Sequence, residues 1–178
     1  EVRAWGTIPT FAFTPLDHIE LMEKSDMVDF DRGTKTSGFR GYFLKGGMAK
    51  LSFALWQYFL GKIVAKGYDP MIVPSLVRPE LLYGSGYLPQ GEEDLYKTQD
   101  GNYFAGTAEV ATMGLYSDEV IPVEKLPMKM VSFSPCFRRE AGSYGAHVRG
   151  LNRVHQFDKV EIVRIEKPEN SYAALEDM

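Results

Sequence analysis

The stretch that decides the fold consists of two runs, Phe133-Ser-Pro-Cys-Phe-Arg-Arg-Glu140 and Arg153-Val-His-Gln-Phe-Asp-Lys-Val-Glu161. The first run continues a strand-like segment over 129–133, and the second continues as a strand to residue 165. Between them lies a glycine-containing loop over 141–152. Loops of about 12 residues without structure of their own are usually functional or disordered. If the two strands pair, this loop and its flanks form the leading candidate for a site.

The end of the first run carries charges of both signs. Side chains alternate along an extended segment, so Arg138 and Glu140 share a face and Arg139 points away from it. A cation and an anion therefore project side by side. A surface ion pair that contributes little to stability would account for them equally well.

The return strand has two different faces. Phe157, Lys159 and Glu161 lie on one face, and Val160 and Ile162 lie on the other, which suits the core. Arginine grips phosphate oxygens in a bidentate way, an aromatic ring stacks on a base, and a carboxylate accepts hydrogen bonds from an amine. The polar face is therefore suited to a nucleotide and an amino acid, and an exposed polar sheet face remains the simpler alternative.

The segment Thr107-Ala108-Glu109 opens a predicted helix over 107–116. Thr107 in that place is a candidate N-cap, which needs no functional explanation. The functional alternative requires Glu109 and Glu161 to converge on one ammonium group.

The composition bounds the class of protein. The chain has 178 residues, of which 44% are hydrophobic, and its formal net charge is −4. These values predict one folded domain without a global positive field for nucleic acid, so any RNA contact is local or lies outside this chain. Cys136 is the only cysteine, which excludes an internal disulfide and a multi-cysteine zinc site and favours a reducing, cytoplasmic compartment. No run of about 18 apolar residues predicts a membrane span.

The remaining elements indicate a mixed α+β domain with a largely antiparallel sheet. The Asp100-Gly101 pair predicts a tight hairpin. In the predicted helix over 48–66, one face should be buried, because apolar residues recur every four positions. The other predicted elements are a helix over 16–30 and strands over 42–44 and 71–73; the apolar row of the 48–66 helix is Leu51, Leu55, Phe59 and Ile63, widened by Trp56, Leu60 and Val64.

The two opening runs together closely resemble motif 2 of the class II aminoacyl-tRNA synthetases in its seryl form. Lys66-Gly-Tyr-Asp-Pro-Met-Ile-Val-Pro74 resembles motif 1 of the same family, and Gly106-Thr-Ala-Glu109 resembles its serine-binding element. The resemblance covers essentially the whole chain. It implies that residues 1–178 form part of a class II catalytic domain, with a largely antiparallel sheet flanked by helices.

The resemblance also implies roles for individual residues. Arg138 and Glu140 would be catalytic, with Arg138 on the ATP α-phosphate and Glu140 on the adenine amino group. Phe157 would stack on adenine, and Arg153 would reach the terminal phosphates. The implied ATP-binding set is Arg138, Arg139, Glu140, Arg153, Val154 and Phe157, and the implied serine-binding set is Thr107, Ala108, Glu109, Arg138 and Glu161.

The implied reaction is the ATP-dependent activation of L-serine to seryl-adenylate, followed by transfer to tRNA(Ser). Mg²⁺ would bridge the phosphates, with no metal ligand in this chain. Motif 1 implies a homodimer in which the 48–66 helix and the strand up to Pro74 meet their copies.

Three departures from the family pattern narrow these expectations. The third motif would lie beyond Met178, and the tRNA-binding helical arm would precede Glu1, so the chain is expected to be a fragment that is inactive or weakly active alone. The loop residues Gly145-Ala-His-Val148 replace a more charged segment, and Asn152 replaces an aromatic or aliphatic residue. The family resemblance therefore does not predict whether this loop contacts tRNA.

Two other classes of function compete with the ligase. A synthetase-like binding or regulatory module would keep the sheet without catalysing ligation. A related type of amino-acid ligase charges a carrier protein and uses zinc, which a chain with a single cysteine disfavours.

Overall fold

A computed structural model of the chain describes residues 4–143, 145 and 148–178; Ala146 and His147 of the predicted loop lie outside the described residues. The helices are α1 His18–Lys24, α2 Phe30–Ser37, α3 Gly46–Val64, α4 Pro79–Gly84, α5 Ala108–Gly114 and α6 Ser171–Asp177. The strands are β1 Val28–Asp29, β2 Phe43–Leu44, β3 Asp69–Ile72, β4 Leu76–Val77, β5 Tyr96–Lys97, β6 Tyr103–Phe104, β7 Met128–Phe137 and β8 Gln156–Ile165.

The central sheet has the order β3-β7-β8. Strands β7 and β8 pair antiparallel along their whole length, from Met128 opposite Ile165 to Phe137 opposite Gln156. Strand β3 pairs with β7 in parallel. The pairing of the two long strands and the α+β class are as predicted, and β3 adds a parallel edge to an otherwise antiparallel pair.

A second sheet, of order β4-β6-β5, contains the predicted hairpin. Strands β5 and β6 are antiparallel, with Tyr96 opposite Phe104. Gly101 in the turn has φ +90°, a conformation that glycine adopts without steric cost. A cluster of buried side chains joins this sheet to α4 and α5; its members are Val77, Leu82, Leu88, Leu95, Tyr103, Ala105 and Val110.

The single helix predicted over 16–30 is wrong, because this segment contains α1, β1 and the start of α2. Asp17 caps α1 in a capping box with Glu20. The chain then turns at Asp26, where φ is +50°. Asp29 caps α2 by accepting a hydrogen bond from the Arg32 N–H at 2.8 Å. Each aspartate satisfies the free N–H groups of a new helix, and so the segment is broken in two.

Helix α3 exists as predicted, but the row expected to be buried is not. No residue of α3 is buried, and Leu51, Leu55 and Phe59 are 50%, 45% and 50% exposed. Trp56 instead faces the sheet, with its ring centroid 4.9 Å from that of Phe133. The helix is therefore turned so that its most regular apolar row is directed away from its own chain.

Within the described residues, no helix combines the length and the apolar character that crossing a bilayer would require.

Candidate active site

The register of β7 and β8 brings the two opening runs together. Ser134 lies opposite Lys159, and Ser132 lies opposite Glu161. Phe157, Lys159 and Glu161 share a face, as alternation predicts. The sequence predicts that this face points away from the core. That prediction is wrong, because α5 covers the face, and Ser132 and Ser134 on it are at most 1% exposed. The candidate site is thus a polar surface between the sheet and α5, in which the side chains of Lys159 and Glu161 remain 29% and 20% exposed.

Thr107 joins α5 to β8. Its side chain caps α5 by accepting from the Glu109 N–H at 3.4 Å, and its hydroxyl also donates to Glu161 Oε2. The residue is only 1% exposed. The N-cap and the site residue were alternatives from the sequence, and in the structure one hydroxyl does both.

Lys159 completes this group of side chains. Its Nζ donates to Thr107 Oγ1 at 2.6 Å and to Glu161 Oε1 at 2.9 Å. Alternation along the return strand placed Lys159 on the polar face, but neither that pattern nor the family resemblance assigned it a role. We refer to Thr107, Lys159 and Glu161 as the polar triad.

Glu109 reaches the triad through its backbone. Its N–H donates to Glu161 Oε2 at 3.1 Å, while the residue itself is exposed and Ala108 before it is buried. Tyr87, which sequence reasoning missed, lies close to the same carboxylates: burial raises the pKa of its phenol, and the charge of Glu109 raises it further. Tyr87 follows α4 in the sequence, and only the fold brings it close to Glu109 and Glu161.

The electrostatics of the triad keep Glu161 ionised. Burial by itself would raise the pKa of Glu161, but hydrogen bonds from Thr107 and Lys159, together with the lysine charge, hold that pKa below its ordinary value. A carboxylate held in this way can accept hydrogen bonds from an ammonium group. The triad is therefore suited to the amino end of a small amino acid.

Arg138 lies beside the triad at the end of β7. Its Nε donates to the Gly106 carbonyl at 3.1 Å, and its guanidinium carbon lies 5.3 Å from the centre of the Phe157 ring. A Cβ at Gly106 would come within 3.2 Å of the Arg138 side chain. Glycine at 106 therefore gives this arginine room, and the arginine is oriented between the triad and an aromatic ring.

A cavity of about 270 Å³ opens next to the ring; its lining residues are Arg138, Glu140, Leu151, Asn152, Arg153, Val154 and Phe157. Arg153 Nη1 lies 3.6 Å from Glu140 Oε2, and the Glu140 side chain is 8% exposed. Five of the six residues of the predicted ATP set line this cavity. Arg139 does not: it is exposed, and its N–H donates to the Asp94 carbonyl at 2.9 Å.

Two other features bear on the chemistry. Cys136 is buried, as expected of a small core residue, and burial raises the pKa of its thiol, which disfavours the reactive thiolate. Among the side chains that the structure describes, no three or more His, Cys, Asp or Glu residues are grouped so that they could hold a metal ion.

The triad predicts a particular pH dependence for the serine binding that the family resemblance implies. Because the pKa of Glu161 is lowered, its carboxylate persists as the pH falls, and we expect the KM for serine to stay constant down to about pH 5. In Lys159→Met, the lysine charge and its hydrogen bonds are lost while burial remains. The pKa of Glu161 should then rise, and serine affinity should decline from a higher pH.

The measurement is the KM for serine across the pH range in the complete gene product that contains this chain. Lys125→Met, which removes an exposed lysine outside the site, serves as the control. Parallel profiles for Lys159→Met and the control would refute the electrostatic role of Lys159.

The site can now be compared with known proteins. Residues 96–178 match a family model described as the tRNA synthetase class II core domain (G, H, P, S and T). The crystal structure of seryl-tRNA synthetase from Pyrococcus horikoshii complexed with ATP matches with a TM-score of 0.90 at 36% identity, covering 94% of this chain and 38% of that one. The fold and the site therefore define a class II tRNA synthetase core.

The sequence relatives narrow the class. The chain is 50% identical over 180 residues to a serine–tRNA ligase of Staphylococcus saprophyticus, covering 100% of this chain and 42% of that protein. It is 46% identical over 179 residues to the serine–tRNA ligase of Macrococcus caseolyticus, with the same coverage. The chain belongs to the seryl-tRNA synthetase family, and it spans about 42% of the length of these curated relatives.

Proposed function

We propose that this chain supplies the ATP and serine sites of an enzyme that activates L-serine to seryl-adenylate and transfers it to tRNA(Ser). One observation carries the proposal: the polar triad, whose carboxylate is held ionised, lies directly beside an arginine that faces a cavity lined by an aromatic ring and further charges. An ammonium site and a phosphate site are thereby adjacent, as the joining of an amino acid to a nucleotide requires.

On the nucleotide side, Phe157 would stack on adenine and Glu140 would accept from its amino group. Among the described residues, the Arg138 side chain donates a hydrogen bond through Nε, and its two terminal nitrogens would bind the α-phosphate. Arg153 would reach the terminal phosphates. These cations would stabilise the negative charge that develops as the serine carboxylate attacks the α-phosphorus and pyrophosphate leaves.

On the serine side, the substrate ammonium would be held by Glu161 and the Thr107 hydroxyl. The protein supplies no nucleophile, because the attacking group is the carboxylate of serine. Catalysis would come from placing that carboxylate in line with the phosphorus and from charge stabilisation. Strong discrimination against alanine would require a polar group that binds the serine hydroxyl, because alanine would leave such a group unpaired.

Pyrophosphate exchange tests the proposed reaction. We expect the complete gene product to incorporate labelled pyrophosphate into ATP when serine is present and not when alanine or threonine replaces it. ATP binding in calorimetry without any exchange would instead support the synthetase-like binding or regulatory module.

We also propose that Mg²⁺ accompanies ATP. The described residues offer no acidic cluster for the ion, so it would be held through the ATP phosphates. Transfer to tRNA and residence in the cytoplasm are proposed with the reaction itself, and the single, buried Cys136 is compatible with a reducing compartment.

We further propose that the chain forms a homodimer through α3 and β3. The exposed apolar row of α3, defined by Leu51, Leu55 and Phe59, and the 90% exposed Ile72 on β3 together make an uncovered apolar surface. Such surfaces usually mark protein interfaces. The resemblance of 66–74 to motif 1 indicates that the partner is a second copy of the chain.

Charges placed in this row should separate the subunits. We expect Leu51→Glu combined with Leu55→Glu to raise the dimer dissociation constant by about 100-fold or more, because each subunit would bury two carboxylates without partners. Sedimentation velocity on the complete gene product measures the change. Val120→Glu, at a position that is 95% exposed and distant from α3 in sequence, should leave the dimer intact; an unchanged dimer in the double variant would exclude this interface.

A further inference from the structure

The segment over 39–42 contacts both ends of the loop that joins β7 to β8, although it belongs to neither motif. At the start of the loop, Arg40 Nη2 donates to the Ser143 carbonyl. At its end, the Tyr42 hydroxyl donates to the Gln156 carbonyl at 3.0 Å. One short segment therefore contacts the loop after β7 has ended, at Ser143, and again where β8 begins, at Gln156.

Arg40 is held in an unfavourable state at this point. Its φ is +65°, which residues other than glycine rarely adopt. A Cβ on the adjacent Gly41 would lie 2.3 Å from the Gly33 carbonyl oxygen, so the backbone is packed against α2. Arg40 Nε and Nη1 are buried and have no hydrogen-bond partner among the described residues. Backbone strain and a buried, poorly paired cation both cost free energy, and such costs cluster at functional positions.

Ser143 connects Arg40 to Glu140 by hydrogen bonds. Ser143 Oγ donates to Glu140 Oε2 at 3.0 Å, and Glu140 itself has φ +53°. The residues on either side of Glu140 both donate to Asp94: the Arg139 N–H to its carbonyl at 2.9 Å, and the Ala141 N–H to its Oδ1 at 2.8 Å. The Glu140 backbone is thus held by Asp94, and its carboxylate is aimed by Ser143.

We propose that Arg40 is a positioning residue for Glu140, acting through Ser143, and that it sharpens recognition of the adenine 6-amino group. This inference rests on the proposed function, in which Glu140 accepts from that group. Arg40 does not line the cavity that contains Glu140, so its influence is on geometry alone. Hydrogen bonds weaken steeply with misalignment. A displaced Glu140 should lose the amino group while the phosphate and serine contacts persist.

The test compares ATP with an analogue that carries hydrogen in place of the 6-amino group. In the complete gene product, we expect Arg40→Met to lower the ratio of kcat/KM for ATP to that for the analogue by about tenfold. Ser143→Ala, which keeps the carbonyl but removes the hydroxyl, should lower the ratio similarly, and the double variant should fall no further. Arg40→Lys should restore part of the ratio, since an ammonium can still donate to the Ser143 carbonyl. The KM for serine should not change.

Glu140→Ala and Lys35→Met serve as references, the second removing an exposed cation from α2. If Glu140→Ala lowers the ratio while Arg40→Met and Ser143→Ala leave it unchanged, the positioning role is overturned and the proposed function stands. If Arg40→Met lowers the melting temperature but leaves the ratio unchanged, the positioning role is likewise overturned and the proposed function stands. If Glu140→Ala itself leaves the ratio unchanged, the assignment of Glu140 to adenine fails, and the inference fails with it.

Discussion

Glu161→Gln is expected to reduce serine-dependent pyrophosphate exchange by about a thousandfold, because it removes the only negative charge of the polar triad. The glutamine side chain has nearly the same shape, but it cannot neutralise Lys159, which would be left as a partly buried cation without its anion. The NH₂ group of the glutamine is a donor, and it could face the Thr107 hydroxyl and the Glu109 N–H, which are donors too. The substrate ammonium would lose its acceptor, and Glu161→Ala should abolish exchange as well.

The effect should be confined to serine. ATP binds on the far side of Arg138 from the triad in the proposed arrangement, so the affinity for ATP measured by calorimetry should change little. Glu124→Gln, at an exposed glutamate in the turn before β7, is the matched control and should exchange normally. Unchanged exchange in Glu161→Gln would remove the triad from the serine site.

Arg138→Lys is expected to lower kcat for exchange by about 100-fold while the protein keeps its fold. A lysine retains the charge but has no Nε to donate to the Gly106 carbonyl at 3.1 Å and no planar fork for two phosphate oxygens. It would also lose the stacked contact with Phe157. Because the loss falls on the charge that develops at phosphorus, kcat should suffer more than the KM for serine.

Arg78→Lys provides the comparison, since Arg78 is an exposed arginine before α4. It should exchange at the rate of the unaltered protein. Near-normal kcat in Arg138→Lys would mean that this arginine contributes only charge, and the α-phosphate contact would have to be assigned to another residue.

Much of the sheet could be predicted because its signals are local. Alternation along 157–161 predicts which side chains share a face whatever lies around the strand. Asp100-Gly101 predicts the hairpin because the turn has its own backbone requirement, met here by Gly101 at φ +90°. The ATP residues implied by the family resemblance, other than Arg139, line one cavity because they lie at the adjoining ends of two strands that pair as expected.

Helical periodicity gave wrong predictions in two places, the buried face of α3 and the segment over 16–30. The spacing in α3 predicts an apolar row but not what the row contacts. In the structure Trp56 faces Phe133, while Leu51 and Leu55 are exposed. Over 16–30 the apolar spacing was a weaker signal than two aspartates that each cap a helix.

The sequence by itself determined the two long strands, the hairpin, the shared face of Phe157, Lys159 and Glu161, and membership of a synthetase family. Only the tertiary structure decided that this face packs against α5, that Lys159 bonds both Thr107 and Glu161, and that Arg40 reaches Ser143. A local sequence pattern, such as strand alternation or helical periodicity, predicts only the direction of a side chain relative to its own strand or helix. Contacts such as Lys159 with Thr107, 52 residues apart, depend on how whole elements pack, and packing is set by the sum of many weak interactions across the chain.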